Sequence, residues 1–318
     1  MARTLIRFTA GQTTQWGMVF DQHIAPVAPG ALSTGEVFDR HWEDIWAQTV
    51  AQATLPLDSV KLLSPVTQNQ QFLCQGVNYA SHVRESGLNL KAMPFNTIFT
   101  KAGSSIVGAD APVVRPAHVT MLDYEIELGL VLRKPIPSGT QVNADQLDQW
   151  LAGLVIVNDL SARDVQLPQG QFYKGKSYRG FGPVGPCIVL PTAQEWKRWP
   201  DLHMRLSVNG QIRQDAYCRE MIHQPAATLT ELAQLQDLFA GDIVATGTPA
   251  GCAAKAPSKA IMFMFRHFFS DAQKWALIIK KSRGNTAYLR PGDQISAVIR
   301  TDDGMLDLGE QTTRIVQP

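Results

Sequence analysis

A chain of 318 residues, 45% hydrophobic and 18% charged, can bury a substantial core as one large domain or as one domain with a smaller companion. A formal net charge of +1 gives no global electrostatic case for a nucleic-acid partner, and no apolar run reaches the ~18 residues a membrane span needs. Cys74, Cys187, Cys218 and Cys252 stand far apart with no C-x-x-C spacing. They read as small buried residues in a reducing compartment, and the start MARTLIRFTAGQ lacks the apolar core of a signal peptide, so a cytoplasmic protein is expected.

Residues 1–65 read as a small separate β-rich unit. Thr4 to Phe8 and Trp16 to Phe20 are short strands around a turn at Gly11-Gln12-Thr13; the proline- and glycine-rich Pro26 to Gly35 reads as loop. Val37 to Ala53 carries Phe38, Trp42, Ile45 and Trp46 at helical spacing. A second unit, residues 66–318, opens with a strand, Gln71 to Gln75, and runs into GVNYASHVRESGLN. There Asn78 suits an N-cap and Gly87 a C′ residue, with about two turns of helix between them. His82 and Glu85, three apart on that helix, share a face. A carboxylate beside an imidazole fixes its tautomer and raises its basicity, as a general base for water requires; a plain surface pair is the competing reading. Thr97 to Thr100 is a strand leading into a loop with Lys101.

LDYEIELGLVL, residues 122–132, is apolar at every second position, so it reads as one strand with Glu125 and Glu127 together on the other face. Two adjacent carboxylates repel unless a cation or proton lies between them, and hard divalent ions suit carboxylate oxygens; an edge strand showing acids to water is the alternative. A turn at Pro135 to Gly139 and a helix from Ala144 to Leu151 follow. The apolar strand Leu154 to Val157 then ends at Asp159, 32 residues beyond Glu127, where a third ligand carboxylate would stand. Arg163 and Asp164 are close enough in sequence to pair with each other.

Lys174 and Lys176 lie in a glycine-rich stretch before a strand, Cys187 to Leu190; a lysine near a metal can stabilise a developing enolate, whereas most such lysines are merely solvated. Asn209-Gly210 marks a hairpin between Asp201–Asn209 and Gln211–Gln214. Thr228 to Phe239 is an amphipathic helix with Leu229, Leu232, Leu235 and Leu238 toward the core, and the loop after GDIVAT offers Thr248 to a ligand. From Ala253 to Tyr288 seven Lys and Arg residues face one acid, Asp271, among IMFMFRHFF and WALII. This segment reads either as a membrane-surface helix or as a cap over the site or a subunit interface, and its blocky pattern favours the cap. Leu289 to Ile299 and Met305 to Ile315 close the chain as strands.

In order, GVNYASHVRE, DYEIEL, VNDLSARDVQ, GKSYRGFGPVGP, VNGQIRQ and GDIVATGTPAG resemble the fumarylacetoacetate hydrolase family, most of all its acylpyruvate hydrolase and oxaloacetate decarboxylase-like members. The resemblance covers about residues 70–252 and resumes at LRPGDQI. It implies an α+β fold, a rolled and mostly β catalytic domain with a small N-terminal β-rich domain, working as a homodimer on a small 2-oxo acid. It further implies Glu125, Glu127 and Asp159 as ligands to Mg²⁺ or Mn²⁺, with Ca²⁺ as an alternative. His82 and Glu85 then match the water-activating pair, Lys176 a catalytic lysine, and Arg163, Gln166 and Thr248 substrate contacts. The implied reaction is metal-dependent hydrolysis of a carbon–carbon bond in a 2,4-dioxo acid through a pyruvate enolate held at the metal, a step of aromatic catabolism. Decarboxylation of oxaloacetate and isomerisation of an unsaturated 2-oxo diacid are the rivals within enzymes, and a non-catalytic membrane-surface or interaction protein is the rival outside them. Three departures stand out: Arg179, after Lys176-Ser177-Tyr178, stands where the family commonly has an acidic residue, Ala102 follows Lys101 where a proline is usual, and the 253–288 segment is longer than usual.

Overall fold

The structure, a computed structural model, describes residues 1–89, 95–256, 261, 267–282 and 284–318. Among the described residues twenty strands dominate a mixed α+β architecture of open sheets. The N-terminal part supplies β1 (Arg3–Ala10), β2 (Thr13–Phe20), β3 (His23–Pro29), helix α1 (Thr34–Ala47), β4 (Leu55–Pro56) and β5 (Lys61–Leu63). Next come β6 (Phe72–Gly76), α2 (Ala80–Glu85), β7 (Thr97–Lys101), β8 (Ile106–Val107), β9 (Val113–Val114), β10 (Leu122–Asp123), β11 (Ile126–Leu132), β12 (Leu151–Asn158) and β13 (Ser161–Ala162). Helices α3 (Arg163–Gln169) and α4 (Phe172–Lys176) lead to β14 (Gly182–Pro183), β15 (Ile188–Leu190), β16 (His203–Val208) and β17 (Gln211–Tyr217). The chain ends with α5 (Pro225–Leu235), β18 (Ile243–Ala245), α6 (Asp271–Ser282), β19 (Gln294–Arg300) and β20 (Asp307–Val316).

The large sheet runs β4-β3-β2-β1-β15-β12-β11-β18-β6-β7, with β5 on β1; the second runs β17-β16-β19-β20-β9. Pairing of Arg3 with Leu190 and of Leu5 with Ile188 joins the N-terminal strands to the same sheet as the rest, so the first 65 residues are not separated from it by a break in hydrogen bonding. Strand β11 lies between β12 and β18, and all seven of its residues are buried, which removes the edge-strand reading of its acids.

Several local expectations need correction. His23–Pro29 is a strand despite Pro26 and Pro29, because the ladder is already irregular between Trp16 and Gly17, where a missing proline donor costs little. Helix α1 starts earlier than expected, on a capping box in which Ser33 and Glu36 satisfy each other's backbone amides. Asn78 does not cap α2. Its side chain instead donates to the carbonyls of His223 and Thr246 and accepts from the His223 amide, bracing two distant loops. The stretch 144–149 is a 3₁₀ turn, not an α-helix. Leu235 is exposed at the end of α5, while Leu238, beyond the helix, is buried. In the basic segment, IMFMFRHFF lies largely outside the described residues; WALII belongs to α6, which runs beside α3. No described helix is long and apolar enough to cross a membrane.

Candidate active site

The site is a product of β-register. Antiparallel pairing sets Ile126 opposite Asn158 and Glu127 opposite Val157, and one step further the Asp159 amide donates to the Glu125 carbonyl at 2.9 Å. Residues directly opposite point the same way, and Glu127 follows Glu125 on the same face, so three carboxylates converge. Their ligand oxygens lie within 4.8 Å of one another, all buried. The expected continuous strand is in fact broken at Tyr124–Glu125, between β10 and β11, where Asn158 Oδ1 accepts from the Glu125 amide at 3.1 Å. After β18 ends, the loop stays against β11 through side chains: Thr246 Oγ1 donates to the Leu128 carbonyl at 2.8 Å and Thr248 Oγ1 to that of Ile126 at 2.9 Å. Gly247, at φ +83, turns its amide onto Glu127 Oε2 at 2.9 Å, and a Cβ there would meet the Asn78 Cβ at 2.8 Å.

Three buried cations face these acids. Lys176 Nζ donates to Glu125 Oε2 at 2.7 Å and Asp159 Oδ2 at 2.5 Å. Lys101 Nζ donates to Asp159 Oδ1 at 2.5 Å and to the Phe181 carbonyl at 2.7 Å. Arg163 bonds Glu125 Oε1, reaches Asp123 Oδ2 at 2.9 Å and holds Gln166 Oε1 at 2.8 Å. Among the described residues, with Asp123 included, four carboxylates meet three cations, leaving one surplus negative charge. The surplus falls on Glu127: burial, then the charges of Asp159 and Glu125, push its carboxyl well above the ordinary carboxylate range. Burial acts the same way on Glu125, but Arg163, Lys176 and His82 outweigh it and lower that carboxyl to about 2. A buried all-oxygen trio short of one positive charge fits a hard divalent cation, which would relieve the repulsion that raises the Glu127 carboxyl.

His82 is buried on α2 and faces the same centre, its ring grouped with Glu125 and Cys252 within 4.8 Å. Glu85 Oε2 lies 4.0 Å from His82 Nδ1, accepts from the Gly251 amide at 2.8 Å, and its other oxygen is 3.3 Å from Lys255 Nζ. Burial would raise the Glu85 carboxyl; His82, the Gly251 amide and Lys255 together hold it below its usual value.

The sequence-derived candidates divide by what they touch. Glu125, Glu127, Asp159, Lys176 and His82 come together, with Glu85 directly behind the histidine. Arg163 and Gln166 lie beside them through Glu125. The Thr248 hydroxyl is occupied by the Ile126 carbonyl and by Gln214 Nε2 at 2.8 Å, so it braces the strand that carries the glutamates. Arg163 does not pair with Asp164, which caps the Thr120 amide at 2.6 Å instead. Lys174 is exposed on Gln169, and Arg179 is exposed in a turn away from Lys176. Two further residues belong to the centre that carry no functional expectation from the sequence. Asp123 shares the parity of Glu125 and Glu127, a signal present in the sequence, and accepts from the Ala253 amide at 2.7 Å and the Ala254 amide at 3.0 Å besides Arg163. Lys101 ends β7 and is fully buried; nothing local to it announces a carboxylate 58 residues away.

A buried acid trio flanked by lysine, arginine and histidine, set on an open α+β framework, is a candidate enzyme centre for a small molecule. The family described as "Fumarylacetoacetate (FAA) hydrolase C-terminal" matches residues 71–316. Oxaloacetate tautomerase YisK of Bacillus subtilis is 34% identical over 236 residues, 70% of this chain and 76% of that protein. The mitochondrial oxaloacetate tautomerase Fahd2a of Rattus norvegicus is 33% identical over 198 residues, 62% of this chain and 61% of its own length, less than two thirds. The solved fumarylacetoacetate hydrolase of the psychrophile Exiguobacterium antarcticum superposes with a TM-score of 0.74 at 28% identity, covering 99% of this chain and 100% of that one. The chain belongs to the fumarylacetoacetate hydrolase family.

Proposed function

We propose that this chain performs enolate chemistry on a small 2-oxo acid, and that its reaction is hydrolytic cleavage of a carbon–carbon bond in a 2,4-dioxo acid of the acylpyruvate or fumarylpyruvate type. The observation that carries this reading is the buried His82 facing Glu125, with Glu85 behind it at 4.0 Å. A divalent cation on Glu125, Glu127 and Asp159, Mg²⁺ or Mn²⁺, would supply positive charge to the substrate's carboxylate and 2-oxo oxygens. His82 takes a proton from water while Glu85 orients the imidazole and stabilises its cation. The hydroxide adds to the C4 carbonyl, the C3–C4 bond breaks, and its electron pair remains on the three-carbon fragment as the enolate. Lys176 supports that charge. His82 then returns the proton to C3, giving pyruvate and the carboxylic acid. The working unit in this reading is a homodimer. The 253–288 segment narrows the choice of substrate in this reading, and its first residues bear on the centre where Ala253 and Ala254 bind Asp123 and Lys255 meets Glu85.

The 34% identity to an oxaloacetate tautomerase favours a second reading, in which the same histidine moves a proton at C3 of oxaloacetate and no water is consumed. Assaying acetylpyruvate, fumarylpyruvate, fumarylacetoacetate and oxaloacetate, with and without Mg²⁺ or Mn²⁺, separates the two. Cation-dependent cleavage that falls about 10²- to 10⁴-fold in His82→Ala supports the hydrolase. Tautomerisation of oxaloacetate with no cleavage of any acylpyruvate would replace it with the second reading.

A further inference from the structure

At one edge of the oxygen trio a second and chemically different set of donors meets. Ligand atoms of His82, Cys252 and Glu125 lie within 4.8 Å of one another, and Cys252 Sγ is 3.9 Å from His82 Nδ1. In a tetrahedral zinc centre, zinc–sulfur and zinc–nitrogen bonds of about 2.3 and 2.0 Å set those two atoms about 3.6 Å apart. The pair therefore needs to close by only a few tenths of an ångström. Cys252 is held in place by its neighbour: Gly251 sits at φ +112, its amide is bonded to Glu85, and a Cβ there would lie 1.9 Å from the Arg213 carbonyl oxygen. Among the described residues the thiol has only weak partners. Gln214 Nε2 approaches it at 3.8 Å, but that amide is already bonded to Thr248 Oγ1 at 2.8 Å and to the Pro249 carbonyl at 3.0 Å.

We propose that His82, Cys252 and Glu125 form a second cation site, selective for borderline-soft divalent ions such as zinc, and that filling it stops turnover. Sulfur, nitrogen and one carboxylate suit such ions and leave a fourth position for water, whereas Mg²⁺ and Ca²⁺ prefer the all-oxygen trio. The two sets thus sort cations by softness while sharing Glu125. Coordination turns the Cys252 thiol into a thiolate and releases its proton to solvent, with no change of oxidation state. A cation there engages the His82 imidazole and draws Glu125 away from its fellow carboxylates. The site stands on geometry alone; the loss of turnover rests on the role given to His82 in the proposed function.

Cobalt(II) added to the full-length, metal-free protein tests the site directly, because only thiolate ligation produces a near-ultraviolet charge-transfer band. The band is expected in the wild type and absent in Cys252→Ser, while Mn²⁺ binding at the oxygen trio, followed by electron paramagnetic resonance, persists and shows that the variant is folded. Cys252→Ala repeats the test without a hydroxyl. Zinc titrated against excess Mg²⁺ is expected to inhibit the wild type about tenfold or more potently than Cys252→Ser. Absence of the band, or its survival in both Cys252 variants, overturns the site. A Cys252-dependent band with turnover unchanged by zinc upholds the site and overturns instead the role given to His82.

Discussion

Replacing Glu127 with glutamine should stabilise the metal-free protein, and increasingly so as pH rises. In the native chain the Glu127 carboxyl is pushed well above its ordinary value by burial and by the charges of Asp159 and Glu125. A carboxyl whose folded pKa is raised contributes fully at low pH, and that contribution is lost as pH climbs above the unfolded value. Each pH unit over which the native state keeps a proton that the unfolded chain has released costs about 1.4 kcal/mol. From pH 5.5 upward the penalty therefore grows for as long as Glu127 holds its proton, and each kcal/mol of it lowers Tm by roughly 2 °C in a chain of this size. Glutamine holds no such proton, yet its amide oxygen can still accept from the Gly247 amide, which bonds Glu127 Oε2 at 2.9 Å. Thermal melts of wild type and Glu127→Gln in EDTA, from pH 5.5 to 7.5, should show a gap opening with pH in favour of the variant. Added Mn²⁺ should reverse the order at pH 7.5, because the cation replaces the proton in the wild type and loses a charged ligand in the variant. A gap that stays flat with pH, or equal stabilisation of both proteins by Mn²⁺, would refute the electrostatic argument.

Lys101→Met should separate stability from cation affinity. It leaves Asp159 with a single cationic partner, Lys176, and the Phe181 carbonyl with the Leu160 amide alone, so urea denaturation should report a loss of about 3–5 kcal/mol, while Mn²⁺ titration should show tighter binding once a competing positive charge is gone. Gly251→Ala forces a Cβ to 1.9 Å from the Arg213 carbonyl oxygen at a φ of +112. It should cost roughly 3 kcal/mol by denaturation and lower kcat, since the Gly251 amide that holds Glu85 must move; a variant with wild-type stability would show that the loop is not fixed as described.

What could be read from the sequence was whatever repeats locally. The alternation through 122–132 marked the glutamate strand, the end of the apolar run marked Asp159, and Asn209-Gly210 marked the hairpin, whose two turn residues do adopt φ +51 and +77. Interactions decided at long range were illegible. Lys101 follows an ordinary strand, and only the fold carries it to Asp159 and Phe181. The break at Tyr124–Glu125 is invisible to a two-residue period, because it exists to let Asn158 reach the Glu125 amide. Its sequence context marks Cys252 as a small buried residue, which is correct for its exposure and silent about its neighbour His82. The prolines of β3 misled because propensity weighs them without knowing that the partner strand is irregular there.

The acid trio sits at one end of the β11–β12 pair, and the connection across residues 133–150 lies at the other, roughly 20 Å away for seven residues of extended chain. Ladder register, not loop length, spaces the carboxylates. The exposed turn at 137–139 within that connection can therefore accept a fused tag without disturbing the centre, provided Ile136, Val142 and Leu147 stay buried, whereas deleting one residue inside either strand would turn every side chain beyond it to the opposite face.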